Sequence, residues 1–204
     1  MRGFAALLLA LLLWGCGGEP EARVAANVPT ERIGTAVFAG GCFWCTESDF
    51  EHVAGVIDAV SGYTGGNTAN PTYESVSAGG TGHYEAVRVR FDTGRTSYAA
   101  LVRHFFRTVD PTDAGGQFCD RGESYRTAIF VAWPQERRDA EAAKAEADRI
   151  LEPPVVTPIL DRGPFHEAEA YHQDYARRNP IRYRYYRTRC GRDARLRGLW
   201  GDAR

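Results

Sequence analysis

The sequence lacks several features that would assign a function at once. It has no glycine-rich loop for binding phosphate, so nothing indicates a nucleotide-binding protein. Cys42 and Cys45 have no second ligand pair at the spacing of a zinc finger. His166 is not followed by the second histidine of a zinc protease, because position 170 is alanine. We therefore expect neither a metal ion nor any other cofactor.

The sequence also lacks an apolar run long enough to span a bilayer. The run from Phe4 to Trp14 follows Arg2 and precedes Gly-Cys16, which is typical of a secretory signal. A leucine three positions before Cys16 and a glycine directly before it resemble the cleavage site of a bacterial lipoprotein. Ordinary signal cleavage, with Cys16 discarded or left free, is the alternative.

We therefore predict a signal peptide of the lipoprotein type at residues 1–15, a flexible tether at 16–33 and one domain at 34–204. A domain of about 170 residues is long enough to bury its own core. An acyl group on Cys16 would anchor this exported protein in the cell envelope, on the periplasmic side of a bacterial membrane. We expect the protein to be a monomer.

Lysine is almost missing from the chain. Lys144 is the single lysine, so arginine carries nearly all of the positive charge. The formal net charge is −1, but residues 177–204 hold ten arginines against two aspartates. Such a basic tail can bind nucleic acid or anionic lipid, or it can dock on an acidic part of the same protein. For an exported protein we favour docking, and we expect no nucleic-acid partner.

Cysteine is more plentiful than lysine. Four cysteines follow Cys16 in the chain: Cys42, Cys45, Cys119 and Cys190. In an oxidising compartment they can form two structural disulfides. They can equally be one reactive thiol with its resolving partners, and their neighbours in sequence have to decide between these interpretations.

Apolar periodicity and turn residues predict an α+β domain. Strands are expected at 35–39, 56–62, 84–91, 125–132 and 155–160, and helices at 43–53, after a cap at Thr96 or Ser97, at 134–151 and at 167–176. The first six elements run β-α-β-β-α-β, which is the ferredoxin-like order. We therefore expect a two-layer sandwich with helices on one face of a mixed sheet, extra C-terminal helices and a long coil tail. The loops at 62–82 and 110–123 are long enough to be functional.

The most informative stretch is residues 40–47, Gly-Gly-Cys-Phe-Trp-Cys-Thr-Glu, between a predicted strand and a predicted helix. Cys42 would then lie at a helix N-terminus, where backbone N–H groups and the helix dipole favour an anion. An exposed Phe43 and Trp44 beside a thiolate would form a pocket for a small apolar group. Two other interpretations are open, because cysteines beside aromatics are often core residues and Cys-x-x-Cys is also a redox motif.

Polar and aromatic side chains cluster in the two long loops and at the strand starts that follow them. Glu85 begins a predicted strand, and a carboxyl held near apolar surface has a raised pKa and can donate a proton. Tyr73 and Tyr125 can hydrogen-bond an oxygen atom. Taken singly, Glu85 can also be a solvent-facing strand residue and each tyrosine a packing residue at the rim.

Taken together and in order, these motifs closely resemble those of the A-type peptide methionine sulfoxide reductases, over about residues 35–180. The matching segments are 41–44 (Gly-Cys-Phe-Trp), 62–66 (Gly-Tyr-Thr-Gly-Gly), 70–73 (Asn-Pro-Thr-Tyr), 82–87 (Gly-His-Tyr-Glu-Ala-Val), 120–129 (Asp-Arg-Gly-x-x-Tyr-Arg-x-Ala-Ile) and 168–175 (Ala-Glu-x-Tyr-His-Gln-x-Tyr). The ordered set is far more specific than any one motif.

The resemblance implies a role for each matching residue. The nucleophile of the Gly-Cys-Phe-Trp motif is Cys42, and Phe43 and Trp44 hold the methyl group of the substrate. The other implied site residues are a proton donor, two oxygen-binding tyrosines and a motif aspartate: Glu85, Tyr73, Tyr125 and Asp120.

The implied reaction reduces the S epimer of methionine sulfoxide, free or in peptides and proteins, and so repairs oxidised proteins. A thiolate at Cys42 attacks the electrophilic sulfur while Glu85 protonates the oxygen, which leaves a sulfenic acid on Cys42. A second thiol condenses with the sulfenic acid to a disulfide, and a thioredoxin-type dithiol reduces that disulfide.

The cysteines depart from the commonest pattern of this family. Many members have glycine where Cys45 stands, and many end in a glycine-rich tail with recycling cysteines, whereas this tail has only Cys190. We predict Cys190 as the resolving thiol because of its position in the tail. Cys119, which precedes Asp120, is the second candidate. Cys45 is the third, because a bond to Cys42 would cross a helix start and occlude the aromatic pocket.

Two other functions remain to be weighed. A thiol–disulfide oxidoreductase that uses Cys42 and Cys45 would reduce insulin-type disulfides and would not need Glu85. A disulfide-stapled envelope binding protein, with the basic tail as its contact surface, would have no free reactive thiol. The ordered motifs argue against both.

Overall fold

Residues 28–201 are described by the computed structural model. The strands are β1 Ile33–Gly40, β2 Val56–Thr64, β3 Tyr84–Asp92, β4 Gly116–Gln117, β5 Asp120–Arg121, β6 Thr127–Val131, β7 Ile159–Asp161 and β8 Phe165–Glu167. The helices are α1 Phe43–Glu51, α2 Tyr73–Ala78, α3 Tyr98–Thr108, α4 Pro134–Ile150, α5 Tyr175–Arg178, α6 Pro180–Arg189 and α7 Arg192–Trp200.

Six of the strands form one sheet, in which neighbours follow the order β7-β6-β1-β3-β2-β8, and β4 pairs with β5 in a separate hairpin. Within the large sheet every pair is antiparallel except β6 with β7, so the sheet is mixed. Strands β1, β2, β3 and β6 with helices α1 and α3 follow the β-α-β-β-α-β order. The predicted α+β class with a ferredoxin-like core is therefore confirmed.

The core lies between the sheet and one layer of helices. Side chains alternate along β1, so that Ala36 and Phe38 join the cluster that contains the helical residues, whereas Val37 and Ala39 join a smaller cluster on the opposite face. Phe38 stacks on Phe50 of α1, with ring centroids 4.9 Å apart. This contact fixes α1, and with it the turn that precedes α1, on the sheet.

The chain after α4 departs from the prediction. The strand expected at 155–160 is limited to β7, because the N–H of Val156 donates instead to the carbonyl of Pro111 at 2.8 Å. The helix expected at 167–176 is wrong. Glu167 belongs to edge strand β8. The amide of Gln173 hydrogen-bonds the N–H and the C=O of Ser61 at 3.0 and 2.9 Å, and residues 170–174 form turns.

The predicted coil tail is also wrong, because most of it is helical. Pro180 is tolerated at the first position of α6, where its missing N–H has no helical partner to lose. Arg187 of α6 pairs with Asp49 of α1 at 2.8 Å, and a carboxyl of Asp110 accepts from Arg195 of α7 at 2.7 Å. These ion pairs agree with the expectation that the basic tail docks on acidic residues of the same protein.

None of the helices within residues 28–201 is both long and apolar enough to cross a membrane. The predicted signal peptide at 1–15, the lipid site at Cys16 and most of the predicted tether lie outside the described residues. The boundaries of these segments therefore stay predictions.

Candidate active site

The turn between β1 and α1 places Cys42 directly before the helix, as the sequence predicted. Gly41 has a φ of +81°, and a Cβ on it would lie 2.5 Å from the Cβ of Gln117, so this turn requires glycine. Cys42 is the N-cap residue of α1, and its carbonyl accepts from the N–H groups of Cys45 and Thr46 at 3.1 and 3.2 Å.

The thiol of Cys42 is 5% exposed, and burial raises its pKa well above the ordinary value. The position of Cys42 before a helix had suggested that its thiol is ionised. Its raised pKa means that the helix start alone does not make it a thiolate. Cys45 lies one turn along and hydrogen-bonds the Cys42 thiol, which lowers the pKa of Cys45 to about 7, with Arg192 and Arg187 adding positive charge nearby. One negative charge is thus available to the Cys42–Cys45 pair near neutral pH.

Glu85 lies on β3 beside the start of α1. Its Oε2 accepts from the backbone N–H of Phe43 at 3.0 Å, and its side chain is buried. Burial raises the pKa of Glu85 to about 8, against an ordinary value of 4.5. A carboxyl with such a pKa carries a proton at neutral pH and can donate it within one residue of Cys42.

Tyr73 and Tyr125 adjoin this carboxyl from two other elements. Tyr73 begins α2, where its N–H donates to Oε1 of Glu169 at 2.8 Å. Its hydroxyl hydrogen-bonds Tyr125, and Tyr125 in turn hydrogen-bonds Glu85. Burial raises the pKa of both tyrosines, so both hydroxyls are neutral donors beside the acid.

The aromatic pair after Cys42 differs from the expected exposed pocket. Phe43 is 1% exposed and belongs to the main core cluster, so the expectation of an exposed Phe43 is wrong. Trp44 is half-buried and stacks on Tyr175, with ring centroids 3.7 Å apart. Its Nε1 donates to Nδ1 of His172 at 3.0 Å. Trp44 is therefore the member of the pair that is held in a fixed orientation at the edge of the site.

The cysteines fall into two pairs. Cys119 and Cys190 are joined in a disulfide, which ties the β4–β5 hairpin to the end of α6. Within residues 28–201 the free cysteines are Cys42 and Cys45, both buried. A cavity of about 620 Å³ lies beside the disulfide and is lined by both of its cysteines.

Sequence reasoning missed Tyr186. Its hydroxyl donates to the carboxylate of Asp120 and hydrogen-bonds the Cys42 thiol. The signal was present in Pro180, which commonly starts a helix, followed by a run of tyrosines and arginines. Because we expected a coil there, none of these tyrosines was assigned to the site.

Comparisons with known proteins decide the family. The family model described as peptide methionine sulfoxide reductase matches residues 34–204. This chain belongs to that family. It is 56% identical over 167 residues to peptide methionine sulfoxide reductase MsrA 2 of Rhizobium meliloti, covering 82% of this chain and 83% of that one. To MsrA of Bacillus licheniformis it is 48% identical over 173 residues, covering 84% and 96%.

Solved structures of the reductase family have the same fold. Methionine sulfoxide reductase A of Corynebacterium diphtheriae matches with a TM-score of 0.67 and 31% identity, over 74% of this chain and 76% of that chain. Mxr1 of Saccharomyces cerevisiae in its reduced form matches with a TM-score of 0.71 and 26% identity, over 76% and 90%. The resemblance drawn from the ordered motifs is thereby confirmed.

Replacing Glu85 with glutamine should change how the stability of this reductase depends on pH. The folded protein keeps a proton on Glu85 up to about pH 8, whereas the unfolded chain releases it near 4.5. The wild type should therefore lose stability as the pH rises through this window, by roughly 1.4 kcal/mol per pH unit. Glu85→Gln cannot titrate, so its stability relative to the wild type should rise with pH.

Urea unfolding at several pH values across this window measures the difference. The matched control is Glu74→Gln on α2, an exposed carboxyl whose variant should follow the wild type. A constant gap between Glu85→Gln and the wild type at all pH values would contradict a raised pKa.

Proposed function

We propose that this protein reduces the S epimer of methionine sulfoxide, free or in peptides and proteins, and so repairs oxidised proteins. The observation that carries the proposal is the pairing of a free Cys42 with a protonated acid. The Glu85 carboxyl is bound at 3.0 Å to the N–H of Phe43, the residue next to Cys42, in a chain of the peptide methionine sulfoxide reductase family. This arrangement lets a sulfur nucleophile and a proton donor act together on the sulfoxide group of one substrate.

The reaction uses each of these groups once. The thiolate of Cys42 attacks the sulfoxide sulfur, and Glu85 gives its proton to the oxygen, which is otherwise a poor leaving group. Tyr73 and Tyr125, as neutral donors beside Glu85, stabilise the charge on that oxygen. The resulting hydroxyl group passes to the sulfur of Cys42 while methionine leaves with the electron pair of the S–S bond, so that Cys42 carries a sulfenic acid. The half-buried ring of Trp44 is the surface against which the substrate methyl group packs.

We propose Cys45 as the resolving thiol. The sequence had placed Cys190 first because Cys190 lies in the C-terminal tail. Cys190 is bonded to Cys119 and so has no thiol to offer in this state. Cys45 is free and already hydrogen-bonds the Cys42 thiol. Its thiol condenses with the sulfenic acid to form the Cys42–Cys45 disulfide and release water. A thioredoxin-type dithiol then reduces this bond by exchange. Cys190 and Cys119 remain the alternatives.

To test the activity, the consumption of the S epimer and of the R epimer of a methionine sulfoxide peptide is measured separately, with a dithiol as reductant. The wild type should consume only the S epimer, and Cys42→Ser should consume neither. Glu85→Gln should lower kcat by about 10²- to 10⁴-fold, because it cannot protonate the oxygen. Glu74→Gln serves as the exposed control and should match the wild type.

Inactivity toward both epimers by a folded protein with reduced thiols would overturn the proposed activity. Reduction of insulin disulfides that survives Glu85→Gln would instead favour a thiol–disulfide oxidoreductase.

The role of Cys45 is tested by measuring the first turnover separately from recycling by the reductant. Without reductant, Cys45→Ser should still form one methionine per protein, and its Cys42 sulfenic acid should persist and react with dimedone. With thioredoxin, its steady-state turnover should be lost. The matched controls, Cys119→Ser and Cys190→Ser, should keep steady-state turnover with thioredoxin and should not accumulate the sulfenic acid. Persistence of the sulfenic acid in Cys190→Ser and not in Cys45→Ser would instead assign the resolving role to Cys190.

We also propose that the protein acts as a lipid-anchored monomer in the cell envelope, on the periplasmic side of the membrane. The support is the apolar run from Phe4 to Trp14, with Cys16 behind it and a glycine-rich start to the tether. Cells fed a labelled fatty acid should label the wild-type protein at Cys16. Cys16→Ser should carry no label and should leave the membrane fraction. Equal labelling of both proteins would contradict the anchor.

A further inference from the structure

Tyr186 lies between the reactive thiol and a carboxylate that the proposed reaction does not yet use. Its hydroxyl donates to Oδ2 of Asp120 and hydrogen-bonds the thiol of Cys42. Its ring stands edge-on to Trp44, with centroids 5.9 Å apart and an interplanar angle of 78°. The hydroxyl of Tyr186 therefore adjoins both the thiol of Cys42 and the carboxylate of Asp120.

The thiol of Cys42 needs a proton acceptor, because it must lose a proton before it can attack. Burial favours its neutral form. Glu85 cannot take the proton, since it is the acid of the reaction and must stay protonated until the sulfoxide oxygen accepts its proton. Tyr73 and Tyr125 face Glu85 and serve as donors there. A different base must accept the proton of Cys42.

We propose that Tyr186 is a further catalytic residue of this protein, which relays the thiol proton of Cys42 to the carboxylate of Asp120. The hydroxyl oxygen of Tyr186 takes the proton from sulfur while its own proton passes to Asp120. Tyr186 is neutral before and after the step, Cys42 becomes a thiolate and Asp120 becomes a carboxylic acid. The proton gained by Asp120 balances the one that Glu85 later gives to the substrate oxygen. The inference rests on the proposed function, in which Cys42 is the nucleophile.

The environment of Asp120 suits an acceptor. It is half-buried, and burial raises its pKa above that of an ordinary aspartate, which makes its carboxylate a stronger base. Arg192 lies close enough to stabilise its charged form before the transfer. The acceptor is therefore charged while the thiol is neutral, and its raised pKa narrows the gap between its pKa and that of the thiol.

A double connection holds Tyr186 in place. Cys119 and Asp120 are consecutive residues of the β4–β5 hairpin segment, and they bind Cys190 and Tyr186 of the α6 end. These two partners are one helical turn apart, since the N–H of Cys190 donates to the carbonyl of Tyr186 at 3.0 Å. The disulfide therefore fixes the distance between the relay hydroxyl and its acceptor.

Several other titratable groups face the Cys42 thiol. They are Cys45 of α1, Glu85 of β3, Tyr73 of α2, and Tyr125 before β6. Among them Cys45 is the competing acceptor, because it hydrogen-bonds the same thiol and its pKa lies at about 7. If Cys45 accepts the proton, Cys45→Ser should lose the Cys42 thiolate. If Asp120 accepts it through Tyr186, Tyr186→Phe should lose the thiolate instead.

The test compares Tyr186→Phe with Tyr185→Phe in the full-length protein. Tyr185 is the neighbouring residue of α6, and its side chain is 68% exposed, so its variant controls for the loss of a hydroxyl from this helix. Two quantities are measured across pH. One is the rate of iodoacetamide alkylation at Cys42, followed by mass spectrometry of its peptide, which needs no substrate. The other is the rate of the single turnover of a methionine S-sulfoxide peptide without reductant.

Tyr186→Phe should lower both rates by about 10- to 100-fold near neutral pH, and the loss should shrink as the pH rises and hydroxide removes the proton. Asp120→Asn should have a similar effect, and the double variant should add little to either single one, since both break one path. Tyr185→Phe should match the wild type. Breaking the disulfide in Cys119→Ser should lower the first-turnover rate in the same direction, but by less.

Wild-type alkylation and turnover rates in a folded Tyr186→Phe would overturn the relay. Loss of the Cys42 thiolate in Cys45→Ser together with its retention in Tyr186→Phe would overturn it as well, in favour of Cys45 as the acceptor. A third outcome is possible, in which the wild type does not reduce sulfoxide but Tyr186→Phe still slows the alkylation of Cys42. That outcome would support the relay and refute only the proposed function.

Discussion

The hydrogen bond from the N–H of Phe43 to the carboxyl of Glu85 is the constraint on which the site depends. It joins the first residue of α1 to the start of β3, and so it sets a buried acid beside the cysteine that precedes the helix. An N–H at a helix start lacks a partner within the helix, so Glu85 also satisfies a donor that would otherwise be buried and unpaired. The same burial that would penalise a charged Glu85 keeps it protonated. One contact thus serves the fold and the chemistry together.

A second set of contacts holds the same turn from the opposite side. Arg192, at the start of α7, is 2% exposed, and its guanidinium donates to the carbonyls of Thr108 at 2.7 Å and of Gly40 at 3.4 Å. Gly40 ends β1 directly before the turn that carries Cys42. Asp49 lies 3.6 Å from this guanidinium and balances its charge. The basic tail is therefore part of the framework of the site, and Arg187 and Arg195 add ion pairs to Asp49 and Asp110.

The sequence predicted the ferredoxin-like core and the position of Cys42 because both depend on local signals. Alternating apolar residues mark β3, Ser97 caps α3, and the glycines before Cys42 mark a turn that ends a strand. The ordered motifs also named Glu85 before its burial was known. The end of the chain was predicted poorly, because its structure depends on distant partners. Gln173 is held by Ser61, and the polar helix α6 gains its stability from Asp49 and the disulfide rather than from an apolar stripe.

The two cysteine pairs differ in their burial and in the parts of the fold that they contact. Cys42 and Cys45 are both buried, one as the N-cap residue of α1 and the other within its first turn. Cys119 and Cys190 lie toward solvent, where their bond holds α6 against the hairpin that carries Asp120. Spacing in sequence could not show this difference, and it placed Cys190 first and Cys45 third as the partner for Cys42. Burial distinguishes the two pairs in the structure, because Cys119 is exposed beside a cavity whereas Cys42 and Cys45 are buried.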